Sequence, residues 1–165
     1  MRIVSDSIID DVIEYLDTLE EDYDVHIESM AKKQPMLVAY LESETMEVLS
    51  EEERDFLMYL ALVIFKAVER VNKNIPQVTE AQLGEAEEHN WELSESAKGA
   101  EFNERLDVFF NEYAHEDLLA FVEESLTDDP EDEDNLDFIT KEGREPLFVA
   151  AKTVIDGLYK AMEKP

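Results

Sequence analysis

Residues 50–65 read SEEERDFLMYLALVIF, and this stretch decides the fold. Ser50 and Glu53 form a capping-box pattern, in which a hydroxyl and a carboxylate satisfy the first free amides of a helix. From residue 56 to residue 65 the stretch is apolar on every helical face, and such a helix must be covered on all sides. We therefore expect a central helix that other helices surround.

The segments on both sides have the spacing of further helices, because apolar residues recur every three or four positions. Helices are predicted over 6–21, 24–33 with a restart at Pro35, about 80–88, 100–113, 118–126, and from about 147 to near Lys164. Thr79 and Gln82 form a second capping box. The chain has only four glycines and no strand pattern. We therefore predict an all-α helical bundle of about six to eight helices.

Two parts of the sequence resemble each other, which predicts an internal repeat. Residues 34–43 (QPMLVAYLES) match residues 115–124 (HEDLLAFVEE) at an offset of 81. Residues 49–58 (LSEEERDFLM) match residues 139–148 (ITKEGREPLF) at an offset of 90. The difference between the two offsets equals the length of the acidic stretch 127–135 (TDDPEDEDN), which we interpret as an inserted loop.

This repeat sets the predicted domain organisation. We expect one domain over residues 1–165, built from two related helical units at about 25–72 and 106–160. The last helix of the second unit carries Lys152 and Asp156 opposite its apolar side. We therefore expect that helix to lie at the periphery.

The chain has 43 acidic and 14 basic residues and a net charge of −29. Such a surface repels nucleic acid and anionic lipid and attracts cationic proteins. Solubility, adaptation to salt, and binding of a basic partner are the three interpretations of this charge. Cysteine is absent, acids interrupt the N-terminal stretch where a secretory signal is apolar, and the longest apolar run is about half a membrane span. These features predict a cytoplasmic protein that does not bind membranes.

Two pairs of residues have the spacing of metal ligands. Glu112 and His115 form the Glu-x-x-His pattern of di-iron helical bundles, although that arrangement needs two such motifs. Glu85 and His89 are four residues apart and can share a helix face. Surface ion pairs are the alternative interpretation. The stretch 128–137 has clustered carboxylates without the glycine and glutamate of an EF-hand, so solvated disorder and weak divalent binding both stay open.

Three further residues are candidates for structural or binding roles. Arg54 and Arg144 recur in the first turns of predicted helices, where the helix dipole disfavours a cation. We interpret them as members of structural ion pairs, with Asp55 and Glu145 or carboxylates of neighbouring helices as expected partners and a ligand contact as the alternative. Trp91 lies in the stretch 90–99, where serines and a glycine indicate a connection between the two units. It could line a groove or cover this connection.

The sequence carries no pattern for nucleophilic catalysis, phosphate-loop binding or basic nucleic-acid recognition. It predicts no cofactor. The preferred interpretation is a non-catalytic interaction module whose acidic surface or groove binds a protein with a basic surface, without direct nucleic-acid binding. The alternatives are a metal-binding bundle that acts as an enzyme or sensor through carboxylates and histidines, and an inhibitor that imitates DNA.

Overall fold

The computed structural model describes residues 2–18, 23–127 and 139–163. Its helices are α1 (Asp6–Asp17), α2 (Tyr23–Lys33), α3 (Pro35–Leu41), α4 (Glu51–Val71), α5 (Glu80–Ser96), α6 (Phe102–Arg105), α7 (Asp107–Phe110), α8 (Glu116–Leu126) and α9 (Lys141–Met162), with a 3-10 turn at Glu44–Val48. These ranges contain no strand, so the prediction of an all-α protein is confirmed. The candidate calcium-binding stretch 128–137 and most of the acidic stretch 127–135 lie outside the described residues. The internal repeat stays a prediction.

Helix α4 lies at the centre of the core, as its sequence predicts. The Ser50 hydroxyl accepts from the Glu53 amide at 3.1 Å, and Glu53 Oε1 accepts from the Ser50 amide at 2.8 Å. Side chains 60–65 have exposed fractions of 1% or less. The helix is therefore started by its own residues and stabilised by burial on all sides.

Helix α9 is buried as deeply as α4, so the prediction of a peripheral helix was wrong. Side chains 147–155 have exposed fractions of 2% or less, and α9 packs against α4, α5 and α8. The error has a physical source. Lys152 and Asp156 read as a solvent-facing side, but the fold buries Lys152 by pairing it with Asp156 and with a side chain of α5.

Glu53 joins the N-termini of these two central helices. Its Oε2 accepts from the amide of Thr140 at 3.0 Å and from the Thr140 hydroxyl at 3.1 Å. The same hydroxyl accepts from the Gly143 amide at 2.9 Å and so caps α9. A Cβ on Gly143 would overlap the Glu53 carboxylate. Glycine therefore leaves the space in which one carboxylate serves two helix ends.

Several elements differ in length from their predicted forms. Helix α9 begins at Lys141, whereas the prediction begins at residue 147. Helix α5 continues to Ser96 and includes residues 90–96, which were predicted to be part of a connection. The helix predicted at 100–113 divides into α6 and α7. The capping box of Thr79 and Gln82 is confirmed, with its two bonds at 3.0 and 3.1 Å. Within the described ranges, no helix has both the length and the apolar character needed to cross a membrane.

Candidate functional site

A surface groove of about 430 Å³ separates α3 from α5. Its lining residues are Met36, Ala39, Tyr40, Ser43, Thr45, Glu80, Leu83, Gly84 and Glu87. Met36 is 42% exposed, although its side chain is large and apolar. Ligand sites combine apolar walls with a few polar groups in this way.

Gly84 keeps the middle of the groove open. A glycine inside a helix costs about 1 kcal/mol relative to alanine, because its backbone loses more freedom on folding. Packing does not require this glycine, since, apart from its chain neighbours and the backbone of its own helix, no atom lies within 4 Å of the position that a Cβ would take. The missing side chain instead leaves free space beside α5.

Two carboxylates of α5 border this space. Glu80 and Glu87 are two helical turns apart and share a face of the helix. Burial raises the pKa of Tyr40 above its usual range, and the neighbouring Glu87 carboxylate raises it further. The groove therefore combines apolar contact, a neutral phenol and negative charge.

Trp91 follows Glu87 by four residues and lies on the same face of α5. Its side chain is 37% exposed. The tryptophan therefore stands one turn beyond the groove, on a helix rather than in the connection that the sequence suggested. A role for Trp91 in a groove stays a prediction.

A buried polar cluster lies between α5, α9 and the segment after α7. Lys152 Nζ donates to Asn90 Oδ1 at 2.8 Å and to Asp156 Oδ2 at 2.9 Å. Asn90 Nδ2 donates to Asp156 Oδ2 and to Thr153 Oγ1, both at 3.1 Å. The Tyr113 hydroxyl donates to Asp156 Oδ1 at 2.6 Å. These groups satisfy one another and hold α5 against α9.

Sequence reasoning missed this cluster as a unit. One local signal was present, because Lys152 and Asp156 are four residues apart on an otherwise apolar helix. Nothing local identified Asn90, which is 62 residues from its lysine partner in the chain. Lys152 is 2% exposed and Asn90 is 0% exposed, so the pair is shielded from any substrate in solvent.

His115 packs at the edge of the cluster. Its ring stacks on Tyr159 with centroids 3.8 Å apart and meets Tyr113 edge-on at 5.5 Å. Burial lowers the pKa of His115; Asp156 opposes this effect and Lys152 adds to it. Within the described residues, its Nδ1 has no hydrogen-bond partner. The imidazole therefore acts here as a neutral packing group.

The residues predicted as metal ligands have different surroundings. Glu112 is exposed and has a left-handed backbone with φ of 56°. His89 is also exposed, and Glu85 pairs with Lys160 at 3.1 Å. In the described part of the chain, no group of three or more histidine, aspartate or glutamate side chains is arranged to hold a metal ion. Metal binding stays a prediction without geometric support.

The residues that were expected to form ion pairs around Arg54 and Arg144 have the following surroundings. Arg54 is exposed and Arg144 is half-buried. Glu145 accepts from Arg105 at 2.9 Å and from the Ser94 hydroxyl. Burial alone would raise the pKa of Glu145, but these hydrogen bonds lower it below its usual range. The interpretation of Arg54 and Arg144 as members of ion pairs stays a prediction.

The chain matches no protein-family model, and no curated protein or solved structure is significantly similar to it. A functional interpretation therefore depends on the geometry of its own residues. The groove between α3 and α5 provides the clearest geometry for a ligand.

Proposed function

We propose that this protein is a non-catalytic interaction module that binds a basic partner protein in the groove between α3 and α5. The observation that carries the proposal is an apolar groove that Gly84 leaves open and that Glu80 and Glu87 border. Buried apolar anchors supply most of the energy of such interfaces, and charges at the rim select the partner.

The spacing of the two carboxylates defines the partner segment. Glu80 and Glu87 are separated by about 10 Å along the axis of α5, given a rise of 1.5 Å per residue. A partner helix with Lys or Arg at positions i and i+7, and an apolar side chain between them, matches this spacing. The net charge of −29 supports the same proposal, because it accelerates the approach of a cationic protein.

A second acidic surface favours the DNA-mimic alternative. Helices α1 and α8 pack against each other. Together they carry nine carboxylates and no lysine or arginine. Rows of surface carboxylates can attract a protein that normally binds phosphates. This second surface also supplies a control for the groove, because neither of its helices lines it.

The groove can be tested with random peptides displayed against the protein, with a Gly84→Met variant as counter-selection. We expect the selected peptides to share two basic residues about seven positions apart with an apolar residue between them. Gly84→Met should weaken binding at least tenfold, about 1.4 kcal/mol, because its side chain fills the groove. The variant should fold at least as stably as the parent, since methionine favours a helix interior more than glycine does.

Matched charge variants separate the groove from general attraction. Glu80→Gln should weaken the selected peptides a few-fold, as expected for an exposed charge pair. Glu92→Gln, an equal charge change elsewhere on α5, should have no effect. Equal binding to the parent and to folded Gly84→Met would refute the groove. The DNA-mimic alternative is the better one if the double variant Asp10→Asn with Asp11→Asn weakens binding instead, and if DNA competes with this protein for its partner.

A further inference from the structure

A second cleft, of about 660 Å³, lies where the N-terminal segment meets the C-terminal end of α4. Its lining residues are Arg2, Arg70, Val71, Asn72, Lys73, Asn74, Pro76 and Met162. Three of these are cationic and none is acidic. This composition contrasts with a chain that has about three acidic residues for each basic one.

The fold holds Arg2 in this cleft through its backbone. The Arg2 amide donates to Asn72 Oδ1 at 2.6 Å, and Asn72 Nδ2 donates to the Arg2 carbonyl at 2.9 Å. The Tyr159 hydroxyl donates to the same carbonyl at 2.7 Å. Three hydrogen bonds thus fix the backbone of Arg2, and none of them involves its guanidinium group.

In the part of the chain that the structure describes, the cations of the cleft, Arg2, Arg70 and Lys73, have no carboxylate in salt-bridge contact. The guanidinium of Arg70 lies over the ring of Tyr15 at 5.8 Å, and both residues line a separate groove with Glu69. Arg2 and Lys73 are therefore the cations that serve this cleft alone. Unpaired cations are unexpected in a protein with 43 acids, where a carboxylate is available on most surfaces.

The helix dipole explains only part of this arrangement. Cations near the C-terminal end of a helix are favoured by its partial negative charge, which accounts for Arg70 and Lys73. The dipole of α4 does not account for Arg2. This residue precedes α1 and is 70 residues from Asn72 in the chain. A bound anion at this helix end needs several cations, because the dipole itself repels it.

We propose that this cleft binds a small molecule with several negative charges, such as a phosphate ester or a polycarboxylate. Arginine guanidinium groups bind phosphate and carboxylate through paired hydrogen bonds, and lysine adds a point charge. The volume falls in the usual range of small-molecule sites, roughly 300 to 1,000 Å³. The side chains of Val71, Pro76 and Met162 provide apolar contact for the rest of the ligand.

Inorganic pyrophosphate and citrate are suitable probes, measured by titration calorimetry at low ionic strength. We expect saturable one-to-one binding of at least one probe with a Kd below about 5 mM. Binding of pyrophosphate alone assigns the site to phosphate compounds, binding of citrate alone to polycarboxylates, and binding of both to polyanions in general. The remaining acidic surface repels these probes, so background binding should be small.

The double variant Arg2→Gln with Lys73→Gln tests the site. It leaves the backbone bonds of Arg2 intact, and affinity should fall at least tenfold. The control, Lys98→Gln with Lys141→Gln, has the same net charge and should bind within twofold of the parent. The proposal is overturned if neither probe saturates the protein below about 5 mM. It is equally overturned if the control loses as much affinity as the double variant.

Discussion

Glu53 provides the sharpest test of how this fold is held together. We expect Glu53→Gln to destabilise the protein by about 2–3 kcal/mol and Glu53→Ala by about 3–5 kcal/mol. The carboxylate accepts from two amides and one hydroxyl, at Ser50 and Thr140, and hydrogen bonds to charged groups contribute about 1.5–3 kcal/mol each before losses through relaxation. Glutamine keeps the size but presents an NH₂ group to one of these donors.

Urea unfolding followed by circular dichroism measures the effect, with Glu52→Gln as the matched control. Glu52 is exposed in the same first turn of α4, so its variant should change stability by about 0.5 kcal/mol or less. In a chain of this size, a loss of about 3 kcal/mol corresponds to a decrease in Tm of roughly 6–12 °C. If Glu53→Gln and Glu52→Gln differ by less than about 0.5 kcal/mol, the carboxylate does not join α4 to α9 as described.

The pH dependence gives an independent check. Burial of Glu53 alone would raise its pKa, but the hydrogen bonds from Ser50 and Thr140 lower it below its usual range. The folded state therefore holds this proton less tightly than the unfolded state, whose glutamate pKa is about 4.3. The stabilisation is present above that value and is lost as pH falls through the lower folded pKa. Glu53→Gln should accordingly flatten the acid limb of the stability curve.

A double-mutant cycle locates the contact. Gly143→Ala should be destabilising in the parent, because the added Cβ overlaps the Glu53 carboxylate. In a Glu53→Ala background the same change should cost much less, since the carboxylate is gone and alanine favours the helix. Additive effects would show that Gly143 and Glu53 are not in contact.

Two further predictions concern the buried polar cluster. Asp156→Ala should destabilise the protein by about 3–5 kcal/mol, because it leaves Lys152 as a buried charge without its partner; adding Lys152→Met should recover much of this loss in urea unfolding, and no recovery would mean that the pair is not coupled. His115→Phe, which keeps an aromatic ring against Tyr159, should flatten the decrease in stability as pH falls below the unfolded histidine pKa of about 6.5. Burial lowers the folded pKa of His115, so the unfolded state takes up its proton first as pH falls and stability decreases until the folded pKa is passed. An unchanged slope in His115→Phe would place the titrating group elsewhere.

Much of the secondary structure was predictable because its determinants are local. The apolar stretch of α4, its Ser50 cap and the capping box at Thr79 each involve residues within about one helical turn. The same local reasoning failed for α9, where two charged side chains suggested a surface. It also shortened α5, because serines and a glycine after Trp91 resembled a connection.

The candidate groove was only partly predictable. Its apolar residues read as core, and Gly84 reads as a minor cost within a helix. Only the packing of α3 beside α5 shows that nothing covers this glycine. The charge of the protein, in contrast, follows from composition and needed no structure.

The sequence by itself determined the helical class, the capped helix starts at Ser50 and Thr79 and the strong negative charge, because each depends on composition or on residues one turn apart. Tertiary structure alone decided which polar groups meet inside the fold. Glu53 reaches Thr140 across 87 positions of the chain, and Lys152 reaches Asn90 across 62. Such pairs form because burial leaves each polar group without water and makes a distant partner necessary. No local pattern identifies that partner.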